Sequence, residues 1–205
     1  PFIPGSVRQR LDELGEGLDR PYTYVIVGAS SGSREGVAIE IARRCRRPLV
    51  KVDLERCVDY LDQPWELVRE LKLARAIPLM VNVVEAQDDP SQRAKLIALG
   101  TAVASLDRPV LVGAADRRSL TTLLGDDRPS LTILTGKSTH EERTAAWTDA
   151  LGQKGWNTAL AADISERFYS IGGTTIQRVL DRAEAESGGR EPEVETLWSA
   201  AREGS

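Results

Sequence analysis

The residues of this chain that could bind an anion follow one another in the segment 24–37, which reads YVIVGASSGSREGV. An apolar run gives way there to small residues, and the small residues give way to the apolar spacing of an amphipathic helix. This order predicts a strand, a tight loop and a helix. In such a loop the backbone N–H groups and the positive end of the helix dipole point at one place, where an anion can sit.

The loop matches the phosphate-binding pattern G-x-x-x-x-G-K-[ST] only at its first fixed position, Gly28. Ser33 stands in the place of the second glycine, Arg34 in that of the lysine, and Glu35 in that of the hydroxyl that holds magnesium. A carboxylate about 4 Å from a phosphate oxygen is repelled by roughly 4 kcal/mol at an effective dielectric of 20. We therefore expect a loop with the shape of a phosphate site that has lost most of its binding chemistry.

The same segment also resembles the glycine-rich opening of short-chain dehydrogenases, with Gly28 and Gly32 in register and Asp53 at the end of the second predicted strand. The third glycine of a dinucleotide fold lets the helix approach the pyrophosphate, and that position is Arg34. Such enzymes also need a Tyr-x-x-x-Lys pair, and none of the four tyrosines has a lysine four positions on. An NAD(P)-binding domain therefore stays as a second alternative only.

Composition narrows the possible classes of protein. The 205 residues allow one domain, or one domain with a small appendage. A net charge of −4 argues against a general nucleic-acid or membrane-surface partner. We expect a cytoplasmic protein, because no apolar run reaches the ~18 residues of a spanning helix and no signal peptide opens the chain. Cys45, Cys57 and the single histidine, His140, are too few for a zinc cage or a Ser/His/Asp triad, so no metal site is expected.

Apolar runs separated by amphipathic segments predict a five-stranded parallel sheet with helices on both faces. The predicted strands are residues 24–27, 49–53, 79–84, 110–114 and 131–134. The predicted helices of this part are residues 7–18, 35–46, 64–75, 91–105 and a short one near 118–124. Gly136, Lys137 and Ser138 spell the end of a second phosphate loop, but its first glycine would be Leu131, so a capped helix entry is expected there.

After the predicted sheet, apolar strands give way to amphipathic helices, predicted at residues 141–151, 159–168 and 175–186. We expect an αβα domain at residues 1–140, a small all-helical lid at 141–187, and a linker with the start of a following helix at 188–205. That last helix carries an apolar stripe at i, i+3, i+4 and i+7, which consists of Val194, Leu197, Trp198 and Ala201. We expect the stripe to dock on a module beyond the chain; the alternative is that it covers the lid.

Residues 7–186 together resemble an AAA+ ATPase module of the P-loop NTPase superfamily. LTILTGKSTHEERTAAWTDAL resembles the passage from the last sheet strand into the lid, and ISERFYSIGGTTIQRVLDRAEAE resembles the lid segment that bears the second sensor. Within the family the chain is most similar to the N-terminal, degenerate module of the two-module ATPases of bacterial contractile injection systems. The resemblance implies a bacterial, oligomeric parent protein that hydrolyses ATP.

The resemblance also assigns the positions of the family's catalytic residues. The aspartate that supports magnesium falls on Asn82, and the glutamate that activates water falls on Val83. The second-sensor arginine falls on Gln177 or Arg178. The polar first sensor falls on one of two alanines, Ala114 or Ala115. The vestigial nucleotide-binding residues are accordingly Gly28, Gly32, Ser33, Arg34, Glu35, Asn82 and Arg178.

We therefore expect an AAA+ module with a degenerate nucleotide site, without hydrolysis and without a cofactor of its own, which serves assembly or partner recognition within a larger ATPase. Its expected partners are a following AAA+ module in the same chain and further copies of itself. The first alternative is an active or nucleotide-binding AAA+ ATPase with an altered phosphate loop, which would use ATP and magnesium. The dehydrogenase-like domain is the second alternative.

Overall fold

Five parallel strands form one sheet in the order β2-β3-β4-β1-β5. The computed structural model describes residues 3–57, 59–83, 90–115, 128–136, 138–168 and 173–203. Within these residues the strands are β1 (Thr23–Val27), β2 (Leu49–Asp53), β3 (Ile77–Val81), β4 (Val110–Ala114) and β5 (Ser130–Leu134). The expected parallel sheet with helices on both faces is therefore confirmed.

The strand β1 lies inside the sheet, with β4 on one side and β5 on the other. Its last residue, Val27, is aligned with Ala114 of β4 and with Leu134 of β5. The carboxyl ends of these three strands therefore meet at one edge, and the loop that follows β1 starts there. This is the edge at which open α/β sheets bind their ligands.

The helices of the sheet domain cover its two faces and bury two separate cores. One face is covered by α4 and α5, and the other by α1 and α2. These helices, with the short α3, are α1 (Gly5–Leu14), α2 (Ser31–Arg44), α3 (Asp59–Asp62), α4 (Pro64–Ala74) and α5 (Pro90–Ala104). A 3-10 turn (Gly15–Asp19) follows α1. The short helix predicted near residues 118–124 lies outside the described residues.

Two boundaries differ from the prediction in ways that matter for the site. The helix α2 begins at Ser31, four residues earlier than predicted. The strand β3 ends at Val81 rather than at residue 84, because Asn82 takes a left-handed backbone conformation with φ of 52°. Asparagine tolerates this conformation better than most residues, and a strand cannot continue through it.

Residues 140–203 form a helical group with a core of its own, centred on the fully buried Trp147. Its helices are α6 (His140–Lys154), α7 (Ala161–Arg167), α8 (Gly173–Glu186) and α9 (Val194–Glu203), with a 3-10 turn (Thr158–Leu160) before α7. The described residues of this group contain no strand.

The apolar stripe of α9 has its partner inside the chain. Leu197 and Ala201 are buried in the core of the helical group, and the guanidinium of Arg167 lies 4.2 Å from the ring centroid of Trp198. The expectation that this stripe lacks a partner within the chain is therefore wrong. A helix of ten residues was too short to show from its own pattern which surface it would cover.

A buried carboxylate ties α2 to α1. Glu40 accepts two hydrogen bonds from Arg43, at 2.7 and 2.8 Å, and one of 2.9 Å from Arg44. Arg44 also pairs with Asp12 of α1 at 2.7 Å. The two hydrogen bonds from Arg43, together with the one from Arg44, lower the pKa of Glu40 to about 2. The network holds α2, and with it the loop at the start of α2, against the helix that precedes the sheet.

The lowered pKa of Glu40 predicts how stability changes in acid. A carboxylate with a depressed folded-state pKa stabilises the fold above its unfolded pKa, and this contribution is lost as the pH falls from about 4.5 towards 2. The shift corresponds to about 3 kcal/mol, and the exposure of Arg43 screens part of it, so Glu40→Gln should lower the free energy of unfolding by about 2 kcal/mol at pH 7. In chemical denaturation the difference from the parent should shrink between pH 4.5 and 2. The exposed Glu13→Gln is the control, and an equal pH dependence in both variants would contradict the assignment.

Candidate functional site

The loop after β1 is shorter than a phosphate loop. Strand β1 ends at Val27 and α2 begins at Ser31, so only three residues join them. Ser30 is the N-cap, and its hydroxyl accepts a hydrogen bond of 3.4 Å from the Ser33 N–H. The Arg34 N–H bonds to the Ser30 carbonyl at 3.2 Å. Residues that would wrap around an anion in the phosphate pattern are therefore already helical, and two N–H groups of the first turn have partners within the chain.

The side chain of Arg34 folds back into this loop. Its Nη1 donates hydrogen bonds to the carbonyl oxygens of Gly28 and, at 3.3 Å, of Ala29. The side chain of Arg34 also packs over β4, because a Cβ atom added to Gly113 of that strand would lie 3.6 Å from the Arg34 Nε. Burial lowers the pKa of Arg34. The loop thus presents carbonyl oxygens to an internal cation, whereas an anion site presents N–H groups.

Gly28 is explained by its packing. A Cβ atom there would lie 2.0 Å from the Oγ1 of Thr135, a buried residue directly after β5. The Gly28 N–H donates to the Ala114 carbonyl at 3.1 Å, so it extends the sheet instead of facing a ligand. The glycine that matched the phosphate pattern is thus required by contact between β1 and β5.

Glu35 and Arg178, two of the predicted vestigial residues, lie on one cleft. The cleft has a volume of about 350 Å³ and is lined by Glu35, Lys51, Gln177 and Arg178. Lys51 of β2 lies 3.5 Å from the Glu35 carboxylate. Arg178 of α8 donates to the hydroxyl of Thr175 at 3.3 Å. Both candidates for the second sensor therefore lie beside the start of α2.

Asn82 points along the edge of the sheet towards β2. Its Nδ2 donates a hydrogen bond of 3.1 Å to the carboxylate of Asp53, and Arg56 lies 3.7 Å from the same carboxylate. Val83 packs partly buried against the core beneath α4 and α5. Neither residue supplies an acid to the loop after β1.

These side chains, as arranged, do not fit a triphosphate with magnesium. The guanidinium of Arg34 fills the loop, and Glu35 offers a carboxylate where the pattern has a hydroxyl. Ala114 ends β4 without a polar side chain. In the described residues no three His, Cys, Asp or Glu side chains are grouped closely enough to hold a metal ion, and no helix is long and apolar enough to cross a membrane.

Comparison with solved structures identifies the fold. No protein-family model and no curated protein matches the sequence. The chain is similar to the crystal structure of the FIGL-1 AAA domain in complex with ADP, with a TM-score of 0.57, 15% identity, and coverage of 100% of this chain and 79% of that one. The chain has the AAA+ P-loop NTPase-like fold.

Two structures of Thermotoga maritima RuvB, a Holliday junction branch migration motor, agree with this fold. Their TM-scores are 0.64 and 0.62, each at 13% identity, over 98% of this chain and 69% of theirs. The alternative of a dehydrogenase-like domain is wrong, because the strand order of the sheet excludes a dinucleotide fold. A dinucleotide fold places its first strand beside its second, whereas here β3 and β4 separate β1 from β2 and from Asp53.

The sequence did not lead us to expect Lys51 at the cleft or the side chain of Arg34 inside the loop. A lysine in the middle of an apolar strand is a sign of an edge strand, and β2 is one, so Lys51 could have been found. No sequence signal showed where Arg34 would point, because a long side chain at a helix start reaches solvent and loop equally well.

The contacts of Arg34 predict a specific cost on its removal. Arg34→Ala leaves the carbonyls of Gly28 and Ala29 without this donor, and we expect it to lower the free energy of unfolding by about 1–3 kcal/mol. Arg69→Ala is the matched control, because Arg69 is an exposed arginine with a long ion pair to Glu66, and it should cost under about 0.5 kcal/mol. Equal losses in urea denaturation would mean that Arg34 does not hold the loop.

Proposed function

We propose that this chain is a catalytically silent module of the AAA+ fold that serves assembly or partner recognition within a larger ATPase. The observation that carries the proposal is the guanidinium of Arg34 bonded to the carbonyls of Gly28 and Ala29. A cation of the chain itself takes the place that the phosphate pattern gives to an anion. The module then keeps the surfaces with which the fold contacts its partners, but it does not bind and release a nucleotide.

Several changes support the same conclusion. The magnesium hydroxyl is replaced by Glu35, the magnesium aspartate by Asn82 and the water-activating glutamate by Val83. Each change alone would remove a different step of phosphoryl transfer, because hydrolysis needs the metal, the base and the phosphate cradle together. The body of the fold is nevertheless well packed, with two cores in the sheet domain and one in the helical group. A chain that keeps the fold but has lost several catalytic side chains is better explained as a module for assembly than as an enzyme.

The resemblance to the first module of contractile-injection ATPases supports a finer proposal. The parent protein is then bacterial and cytoplasmic, carries a second AAA+ module after this one, and hydrolyses ATP there. This module contributes contacts to its neighbour and to other copies in an oligomer. The boundary between sheet domain and lid then lies near residue 140, and the lid includes α9, because that helix is buried in the same core.

One observation favours the runner-up, an AAA+ module that binds nucleotide through an altered loop. Lys51 and Arg178 face one cleft beside the start of α2, and two cations there could hold a phosphate if Arg34 left the loop. Glu35 opposes this, because its carboxylate already pairs with Lys51 at 3.5 Å.

An ATP titration distinguishes the two proposals. With ATP and magnesium up to millimolar concentrations, calorimetry should show no binding and a phosphate-release assay no turnover above background, because the guanidinium of Arg34 occupies the loop. Magnesium-dependent turnover that is lost in Arg34→Ala would contradict the silent module. Binding that Arg178→Ala weakens, while Arg182→Ala on the same helix leaves it unchanged, would establish the runner-up instead.

The role of the parent protein has its own test. In the full-length protein, removal of the lysine from a downstream phosphate loop should abolish ATP hydrolysis, whereas Arg34→Ala should leave most of it. The expected reason is that turnover resides in the second module alone. A parent without a second phosphate loop, or one whose activity follows Arg34 and not the downstream lysine, would contradict this arrangement.

A further inference from the structure

One carboxylate caps two helices that belong to different parts of the molecule. The Oε1 of Glu142 accepts a hydrogen bond of 2.8 Å from the Gly5 N–H, the first residue of α1. Its Oε2 accepts one of 2.9 Å from the Thr139 N–H, and the Thr139 hydroxyl accepts one of 3.1 Å from the Glu142 N–H. Glu142 therefore completes the capping box of α6 and at the same time caps α1.

The helix α1 depends on this outside acceptor. Its N-cap residue is Pro4, which has no side-chain acceptor, and its first turn carries no acidic residue. A helix start leaves N–H groups without partners and favours a nearby negative charge. Glu142 supplies both, and the bond from Gly5 is the main cause of its lowered pKa.

The bond joins two separate cores. Val7 and Leu11 of α1 are buried with the sheet, under the face that α2 also covers. Trp147 and Leu151 of α6 are buried in the core of the helical group. Strand β5 ends at Leu134 and α6 begins at His140, and Gly136 between them has a φ of 65°. The Gly5–Glu142 bond therefore links the sheet domain to the helical group at the joint where the chain passes from one to the other, whereas the packing of α8 on α2 links them elsewhere.

We propose that the bond from Gly5 to Glu142 is a latch that sets the orientation of the helical group relative to the sheet. The start of α1 then controls the joint, so a change at residues 3–5 is transmitted to the helical group without any ligand in the loop after β1. The proposal does not depend on whether the module binds nucleotide.

Gly5→Pro removes the donor, and because its Cδ takes the place of the amide hydrogen, it also pushes the Glu142 carboxylate away from the start of α1. Proline is well suited to the first position of a helix, and Pro4, with ψ of 148°, already has the backbone conformation that a following proline requires. Gly5→Ala is the matched control, because it keeps the N–H and adds a Cβ atom 3.3 Å from the Glu142 Oε1, the movable end of a side chain.

The readout is the distance between spin labels on the two parts. Labels are placed at Leu73→Cys on α4 and Gln153→Cys on α6, two exposed positions, in a chain whose own Cys45 and Cys57 are replaced by alanine. Pulsed electron paramagnetic resonance should give one narrow distance distribution for the parent and for Gly5→Ala. Gly5→Pro should give a distribution roughly twice as wide, as expected of a released joint.

A distribution for Gly5→Pro as narrow as that of Gly5→Ala would overturn the latch. If Gly5→Pro does not fold, as judged by circular dichroism, Glu142→Ala decides, because it removes both acceptor oxygens. Glu141→Ala is its control, with the same change of charge on an exposed neighbour. Widening in Glu142→Ala alone supports the latch, and equal distributions in both variants reject it.

Discussion

The guanidinium of Arg34 needs acceptors away from bulk water, and this need governs the geometry of the loop after β1. Gly28 and Ala29 turn their carbonyl oxygens towards it, and only three residues separate Val27 from the helix. A loop that surrounds a cation cannot also offer N–H groups to an anion, because each peptide unit directs its two polar groups in opposite senses. The resident positive charge and a bound phosphate therefore require different arrangements of this backbone.

Much of this fold could be predicted from the sequence because its three inner strands, β1, β3 and β4, are buried on both faces. The ends of β2 and β4 agree with the prediction, since apolar runs between turns leave little freedom. The end of β3 was missed because Asn82 takes a left-handed conformation and turns to Asp53, which lies on another strand. No local pattern contains that contact.

The candidate site was harder to predict than the sheet. Residue types alone showed that Ser33, Glu35 and Asn82 depart from the residues expected at a nucleotide site. Fitting the segment to the phosphate-binding pattern, however, led to a wrong prediction of where α2 begins. Reading the loop as eight residues hid the capping signal of Ser30, whose hydroxyl starts α2 early. Lys51 joins the cleft only through the packing of β2 at the sheet edge and of α8 over α2, which is tertiary information.

The shared carboxylate also has a consequence for the order in which the chain acquires its structure during synthesis. Gly5 and Glu142 are 137 residues apart, so α1 leaves the ribosome without the group that caps it. At 5–20 residues per second the interval is on the order of ten seconds. During that time α1 has its buried face but an unsatisfied start, and closing so long a loop waits for the sheet to bring both ends together. The helix α1 is thus made well before the residue that caps it, and its capping is completed late.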